Sequence, residues 1–281
     1  MFVISIINNF LEGNVVSKDN MDFDKKREKY WNEDYMHYWS NRVSEANQVN
    51  SESSTIIKGD ANTTTDKTYI NAIKLLNIVE TDEVVEIGCG FGRSLPALCK
   101  ASHHVTALDI SSSMIDVAKN RIKEKNVSFL VSSSENTPLD SNKYDVVVCF
   151  ASFDAMYQTK ALIEINRICK KGARILITGK NDNYIDNDNL AIDAEVGARK
   201  KGHPNYFTDL GKLLKNIDKF GFSINLQYYY PRRGDFSSFK SEIKMPKMFY
   251  EYLLVLCKTS DSTISENFVI SDTISKTFKR I

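Results

Sequence analysis

The sequence predicts an α/β domain built on a doubly wound, mostly parallel sheet, and three observations carry that expectation. Apolar runs recur between residues 83 and 179 as EVVEIG, HVTALDI, VSFLVSS, YDVVVCF and ARILITG. Each is short and nearly continuous in its apolar character, as a strand covered on both faces must be. Segments of helical spacing separate the runs, and repeated strand, helix, strand order leads to parallel pairing.

Each element has its own signal. KTYINAIKLLNIV places Ile70, Ile73 and Leu76 on one helical face ahead of the first strand. RSLPALCK and SSSMIDVAKNRIKEKN supply the next two helices; the second has a serine start and Met114, Ile115, Ala118 and Ile122 at helical spacing. TKALIEINRICKKG predicts a third crossover helix ended by Gly172. FTDLGKLLKNIDKFGF reads as a further helix, FSINLQYYY as a sixth strand and FYEYLLVLCKT as a seventh.

A chain of 281 residues with 42% hydrophobic and 26% charged residues can bury one large core with decorations. Its net charge of +1 supplies no overall field to draw in nucleic acid or an anionic membrane. Five cysteines without a CxxC pair suit reduced thiols in a cytoplasm, not zinc or a disulfide frame. The opening MFVISIINNF is too short to cross a bilayer and lacks the features of a signal peptide.

The expected organisation is an N-terminal helical extension and linker over residues 1–64, a main domain over 65–259, and a polar tail over 260–281. The extension carries Tyr30, Trp31, Tyr35, Tyr38 and Trp39, a set that either closes over a site as a lid or packs on the sheet. Two insertions, 180–206 and 231–247, lie on the strand-end side where such sheets bind ligands.

VVEIGCGFG, residues 84–92, holds the main chemical signal. A glycine turn after the first strand lets backbone approach a ligand closely and points amides at it. The spacing of Gly88, Gly90 and Gly92 is G-x-G-x-G, with Arg93 where the dinucleotide fingerprint needs its third glycine. Glu86 precedes the turn and can hold a cationic amino group, while Asp109 closes the second strand and can accept ribose hydroxyls. Ile110 and Met114 follow as apolar faces for a base, so a nucleoside bearing an amino-acid moiety and no phosphate fits best.

At these residues the chain resembles the class I S-adenosylmethionine-dependent methyltransferases, particularly the small-molecule group with an E-x-G-x-G-x-G motif. The resemblance covers about residues 65–180 and implies a seven-stranded Rossmann-like sheet with its last strand antiparallel. It implies S-adenosylmethionine as cofactor, with Glu86, Gly88, Gly90 and Gly92 lining the methionine part and Asp109 on the ribose. It further places Ser134 and Glu135 near the adenine and Phe150 near the methionine end. Ser133 stands where family members often have an aspartate that receives the adenine amino group.

Loops after the fourth, fifth and sixth strands are expected to form the acceptor pocket. They offer Asp154 and Tyr157, then Lys200, Lys201 and His203, then Arg232 and Arg233, with Tyr38 reaching over from the extension. Two basic clusters at one mouth would suit a phosphate or carboxylate on the acceptor. His203 is the candidate general base for a hydroxyl. The expected function is methyl transfer to a small polar metabolite, anionic or sugar-linked, with O-methylation favoured. The alternative is an S-adenosylmethionine-binding subunit without turnover that modulates a partner enzyme. Nucleic-acid amino methylation is disfavoured, because ASFDAMY after the fourth strand lacks the proline-rich loop such enzymes carry there.

Overall fold

A computed structural model describes residues 29–35, 66–184, 187–200, 203 and 205–272. Its main sheet has seven strands: β1 (Glu83–Ile87), β2 (His104–Asp109), β3 (Val127–Val131), β4 (Tyr144–Cys149), β5 (Cys169–Lys180), β7 (Phe222–Tyr230) and β8 (Glu251–Lys258). They lie in the order β3-β2-β1-β4-β5-β8-β7. The first five are mutually parallel, and β8 runs antiparallel between β5 and β7. The late pair expected from FSINLQYYY and FYEYLLVLCKT is therefore present, with the antiparallel strand last in sequence.

The continuous apolar runs have the predicted cause. Along β1, Val84 joins one core and Val85 and Ile87 join the other, so successive side chains meet protein on opposite faces. On the Val84 face lie α1 (Asp66–Ile73), α2 (Leu95–Ala101) and α3 (Ser112–Arg121). The other face packs against α4 (Gln158–Ile168) and α6 (Leu210–Lys215).

Several boundaries differ from the sequence reading. In α1 the buried positions are Thr68, Tyr69, Ala72 and Ile73, followed by Leu76 in a 3-10 turn, while Ile70 is exposed. Ile73 and Leu76 are thus buried as expected, and only Ile70 lies off the buried face. Gly172 does not end α4, which stops at Ile168 with Cys169 already extended. Gly172 (φ +84) instead lies within β5 where its register against β4 shifts, between the pairs Tyr144–Cys169 and Val146–Arg174.

The segment expected as a helix from Phe207 begins with β6 (Phe207–Thr208), and only Leu210–Lys215 is helical, capped by Asp209 accepting from the Lys212 amide at 2.9 Å. β6 pairs antiparallel with β9 (Ser271–Asp272). This pairing, with Ile270 buried, docks the described part of the tail onto the domain. The 180–206 insertion also contains α5 (Asn189–Lys200), which the sequence reading left as loop. The short α7 (Asp235–Ser238) lies in the second insertion. Among the described residues, no helix is long and apolar enough to cross a membrane.

Candidate active site

The glycine turn is fastened to β2: the amides of Gly88 and Cys89 both donate to Leu108 O, at 2.8 and 3.0 Å. All three glycines have positive φ, but for different ends. A Cβ on Gly88 would collide with the Ser152 side chain, so the turn presses directly against the loop after β4. Gly90 faces open space and donates its amide to Asp109 Oδ2 at 2.8 Å. Gly92 does not line the cavity as expected; a Cβ there would meet Leu95 Cδ1 at 2.9 Å and Ile122 Cγ1 at 3.1 Å, so its role is packing the turn onto α2 and the end of α3.

Above this turn lies a cavity of about 680 Å³ at the carboxyl ends of the parallel strands. Glu86, Gly88, Gly90, Asp109, Ile110, Met114, Ser134, Glu135 and Phe150 all line it, as the sequence predicts. Glu86 is buried; its Oε1 accepts from the Ser94 hydroxyl, whereas Oε2 has no hydrogen-bond partner among the described residues. Burial pushes the carboxyl up to about 8, with the Ser94 bond opposing and Asp109 adding to the rise. A cation placed at Oε2 would satisfy the orphan oxygen and restore the ionised form.

Asp109 accepts from Gly90 through Oδ2 and from the Ser111 amide through Oδ1 at 2.9 Å. Burial raises its pKa, while the amides of Ser111, Gly90 and Ile110 pull it down. Each carboxylate oxygen keeps capacity to accept another hydrogen, the requirement for gripping a vicinal diol. Ser111 caps α3 by accepting from the Met114 amide at 3.2 Å, which seats Met114 at the cavity wall. Glu135 is tied to its own loop: Oε1 accepts from the Tyr157 amide at 2.8 Å, and Oε2 from the Ser133 hydroxyl.

The other half of the cavity lies over β4, β5 and β8. Lys180, the last residue of β5, bridges Asp154 Oδ2 and Glu195 Oε1, both at 3.0 Å. Burial alone would push its ammonium down, but the two carboxylates hold it well above its ordinary value. Glu195 also accepts from Tyr250 Oη at 2.6 Å and from Asn205 Nδ2 at 2.7 Å. Arg233 reaches this network through Tyr250 Oη at 3.1 Å, and its amide donates to Asp188 Oδ2 at 2.8 Å.

Of the basic residues expected to converge on the cavity, Arg233 lines it, whereas Lys200 and Arg232 do not. Lys200 is exposed and does not line the cavity; Arg232 is exposed and bonds Asn187 Oδ1 at 3.1 Å. Both were expected from sequence runs alone, and a helix and a turn direct them outward. Tyr157 also misses the cavity, packing its ring 5.6 Å from that of Tyr206. Asp154, His203 and Arg233 do line it. Lys201 and Tyr38 fall outside the described residues.

His203 sits in an aromatic enclosure made by the π-helical turn Tyr30–Asp34 and Tyr35. Its ring lies 5.3, 4.9 and 5.7 Å from those of Tyr30, Trp31 and Tyr35. Burial first, then Lys180, lowers its pKa to about 4, against Asp154, Glu195 and Asn205. The same turn is anchored on α3, with Trp31 O accepting from Ser111 Oγ and Asn32 O from Ser113 Oγ, both at 3.2 Å. Tyr30, Trp31 and Tyr35 themselves line the cavity.

Lys180, Glu195 and Glu251 were not singled out in the sequence. Lys180 and Glu251 had a usable signal, since they are charged residues at the ends of strands that meet the cavity. Glu195 had none, because α5 was read as loop.

Residues 85–177 match the family described as a methyltransferase domain. The uncharacterized methyltransferase YdaC of Bacillus subtilis (strain 168) is 31% identical over 109 residues, 38% of this chain and 60% of that protein. A ubiquinone biosynthesis O-methyltransferase of Coxiella burnetii (strain Dugway 5J108-111) is 27% identical over 123 residues, 41% of this chain and 53% of that protein. The chain thus spans between about half and three fifths of the length of these relatives. Among solved structures, geranyl diphosphate C-methyltransferase from Streptomyces coelicolor A3(2), in complex with Mg2+, geranyl diphosphate and S-adenosyl-L-homocysteine, superposes with a TM-score of 0.55 at 14% identity. The match covers 69% of this chain and 80% of that one.

Proposed function

The chain carries a class I S-adenosylmethionine-dependent methyltransferase domain, and from that premise we propose that it methylates a small-molecule acceptor, with oxygen as the favoured nucleophile. The observation that carries the cofactor assignment is the orphan Oε2 of Glu86 beside a turn that only glycine can form at Gly88. The methionyl ammonium supplies the missing partner of Glu86, Asp109 receives the ribose hydroxyls, and Ile110 and Met114 flank the base. Ser134 and Glu135 border the adenine, and Phe150 the methionine end.

S-adenosylmethionine contributes an activated methyl group on a positively charged sulfur. The chain contributes position and dryness. Gly88 and Ser152 bring the turn and the loop after β4 into contact, and Tyr30, Trp31 and Tyr35 cover the cavity, excluding water. His203 belongs to that cover. Burial lowers its pKa to about 4, which makes it a weak base at neutral pH.

The acceptor half favours a neutral molecule over an anionic one. Lys180 is already shared by Asp154 and Glu195, Lys200 and Arg232 lie outside the cavity, and Arg233, which lines it, is turned to Tyr250 Oη at 3.1 Å with Glu251 nearby. The Coxiella relative being an O-methyltransferase accords with an oxygen acceptor. A built acceptor half supports turnover over a purely cofactor-binding subunit. Calorimetry with S-adenosylhomocysteine tests the reading: wild type should bind, and Asp109→Ala should bind at least about 100-fold more weakly. Absence of heat with wild type overturns it.

A further inference from the structure

Glu251 opens β8, where it pairs in register with Lys180, the last residue of β5, and with Tyr230, the last of β7. It lines the cavity, yet among the described residues its carboxylate makes no hydrogen bond and no ion pair within 4 Å. The two buried carboxylates nearby are committed: Asp154 and Glu195 both hold Lys180. Aromatic rings lie on the same side of the sheet: Tyr230 is the register partner of Glu251, and the Phe236 ring of α7 lies 5.1 Å from that of Tyr230 and 6.2 Å from that of Tyr69 of α1, with Tyr69 and Phe236 lining the cavity. Flat rings of this kind select a flat ligand by edge and face contacts.

Resting on the methyltransferase reading above, we infer that Glu251 takes the proton from the acceptor, and that the acceptor is a neutral aromatic hydroxyl. As the phenolic O–H bond breaks, its proton goes to a Glu251 carboxylate oxygen and an oxygen lone pair forms the bond to the methyl carbon. The carbon–sulfur bonding pair returns to sulfur, turning sulfonium into thioether. Glu251 ends protonated and loses its proton to solvent once product leaves.

The electrostatics fit the task. Burial raises the Glu251 carboxyl to about 7; Arg233 and Lys180 pull it down, and Asp154 and Glu195 push it further up. Tyr69, Tyr230 and Tyr250 face it as well. A carboxyl so placed is ionised in an appreciable fraction at neutral pH and basic enough to accept a phenolic proton in the transition state.

The test uses the full chain with methyl-labelled S-adenosylmethionine and a panel of neutral mono- and dihydroxyphenols, each beside its phosphate ester. Labelled methyl should pass to a neutral phenol, with kcat rising through a single ionisation near pH 7. Glu251→Gln should lower kcat about 100-fold or more and erase that ionisation, while S-adenosylhomocysteine affinity stays within about threefold. Glu251→Asp should recover part of the loss. With carboxyl-13C glutamate in the apo protein, one resonance should titrate near pH 7 and be missing from Glu251→Gln.

Retention of wild-type kcat and pH profile in Glu251→Gln, no such resonance, or transfer to the phosphate esters alone would each overturn this inference while leaving the cofactor reading intact. So would full cofactor binding without methylation of any phenol in the panel. Failure of wild type to bind S-adenosylhomocysteine would instead sink the methyltransferase reading itself.

Discussion

The hydroxyl of Tyr30 lies 2.9 Å from Nδ1 of His203, joining two residues 173 positions apart across the cavity. Because the imidazole pKa is lowered to about 4, the ring is neutral through the physiological range and its contact with three aromatic rings is undisturbed by charge. An unfolded histidine binds its proton near 6.5, so between about 6.5 and 4 the unfolded state holds more protons than the folded one. This group's stability contribution is therefore complete above that window and is lost as pH falls through it, by at most ~3 kcal/mol. Equilibrium unfolding across pH 7 to 4 should show this loss, and His203→Phe should flatten it. An unchanged slope in the variant would mean that the ring titrates as it would in water.

Gly88 and Gly90 share a left-handed backbone but not a neighbourhood. Alanine at Gly90 meets nothing within 4 Å and should cost only the backbone penalty, about 1–2 kcal/mol. Alanine at Gly88 adds a collision with Ser152 and should cost at least about 3 kcal/mol. Urea unfolding of the two variants compares them directly. Equal losses would contradict the close approach of the turn to the loop after β4.

The sheet was legible because burial on both faces leaves continuous apolar runs, and the glycine-turn half of the cavity because a turn that tight admits few residues. Glu86 and Asp109 could be placed without coordinates, since each sits at a strand end on the ligand side. The acceptor half resisted for a different reason. Whether Arg232 or Arg233 faces inward depends on one residue of turn geometry, and the two are identical in type. Lys200 lies on α5, whose period was hidden among the polar residues of its insertion, so its outward direction could not be read. Gly92 matched the motif, but the motif does not say whether a glycine faces ligand or core.

Glu86 predicts a ligand-dependent response to pH. Its folded pKa of about 8 lies above the unfolded value near 4.5, so the folded state binds the extra proton between those limits. The resulting stability is full below about 4.5 and is lost as pH rises through 8, up to ~5 kcal/mol. Glu86→Gln should therefore make the apo protein more stable than wild type at pH 8, by thermal unfolding, while weakening S-adenosylhomocysteine binding about 100-fold. Added S-adenosylhomocysteine should also remove the alkaline decline from wild type, because the ligand ammonium stabilises the ionised carboxylate. A decline that persists in both Glu86→Gln and the complex would assign it to another group.

Lys180 is held 3.0 Å from both Asp154 and Glu195, and all three are nearly buried. Replacing one member of such a cluster leaves uncompensated charge in a medium that solvates it poorly, which costs far more than the cluster itself contributes. Lys180→Met should lose about 3–5 kcal/mol in denaturant unfolding. Lys180→Met combined with Glu195→Gln should lose less than the single variant, since Asp154 then remains the only orphan charge. The glutamine amide would keep an acceptor oxygen for Asn205 Nδ2 and turn its nitrogen to donate to Tyr250 Oη. A double variant weaker than the single one would show that Glu195 stabilises the fold through Tyr250 and Asn205 and not through Lys180.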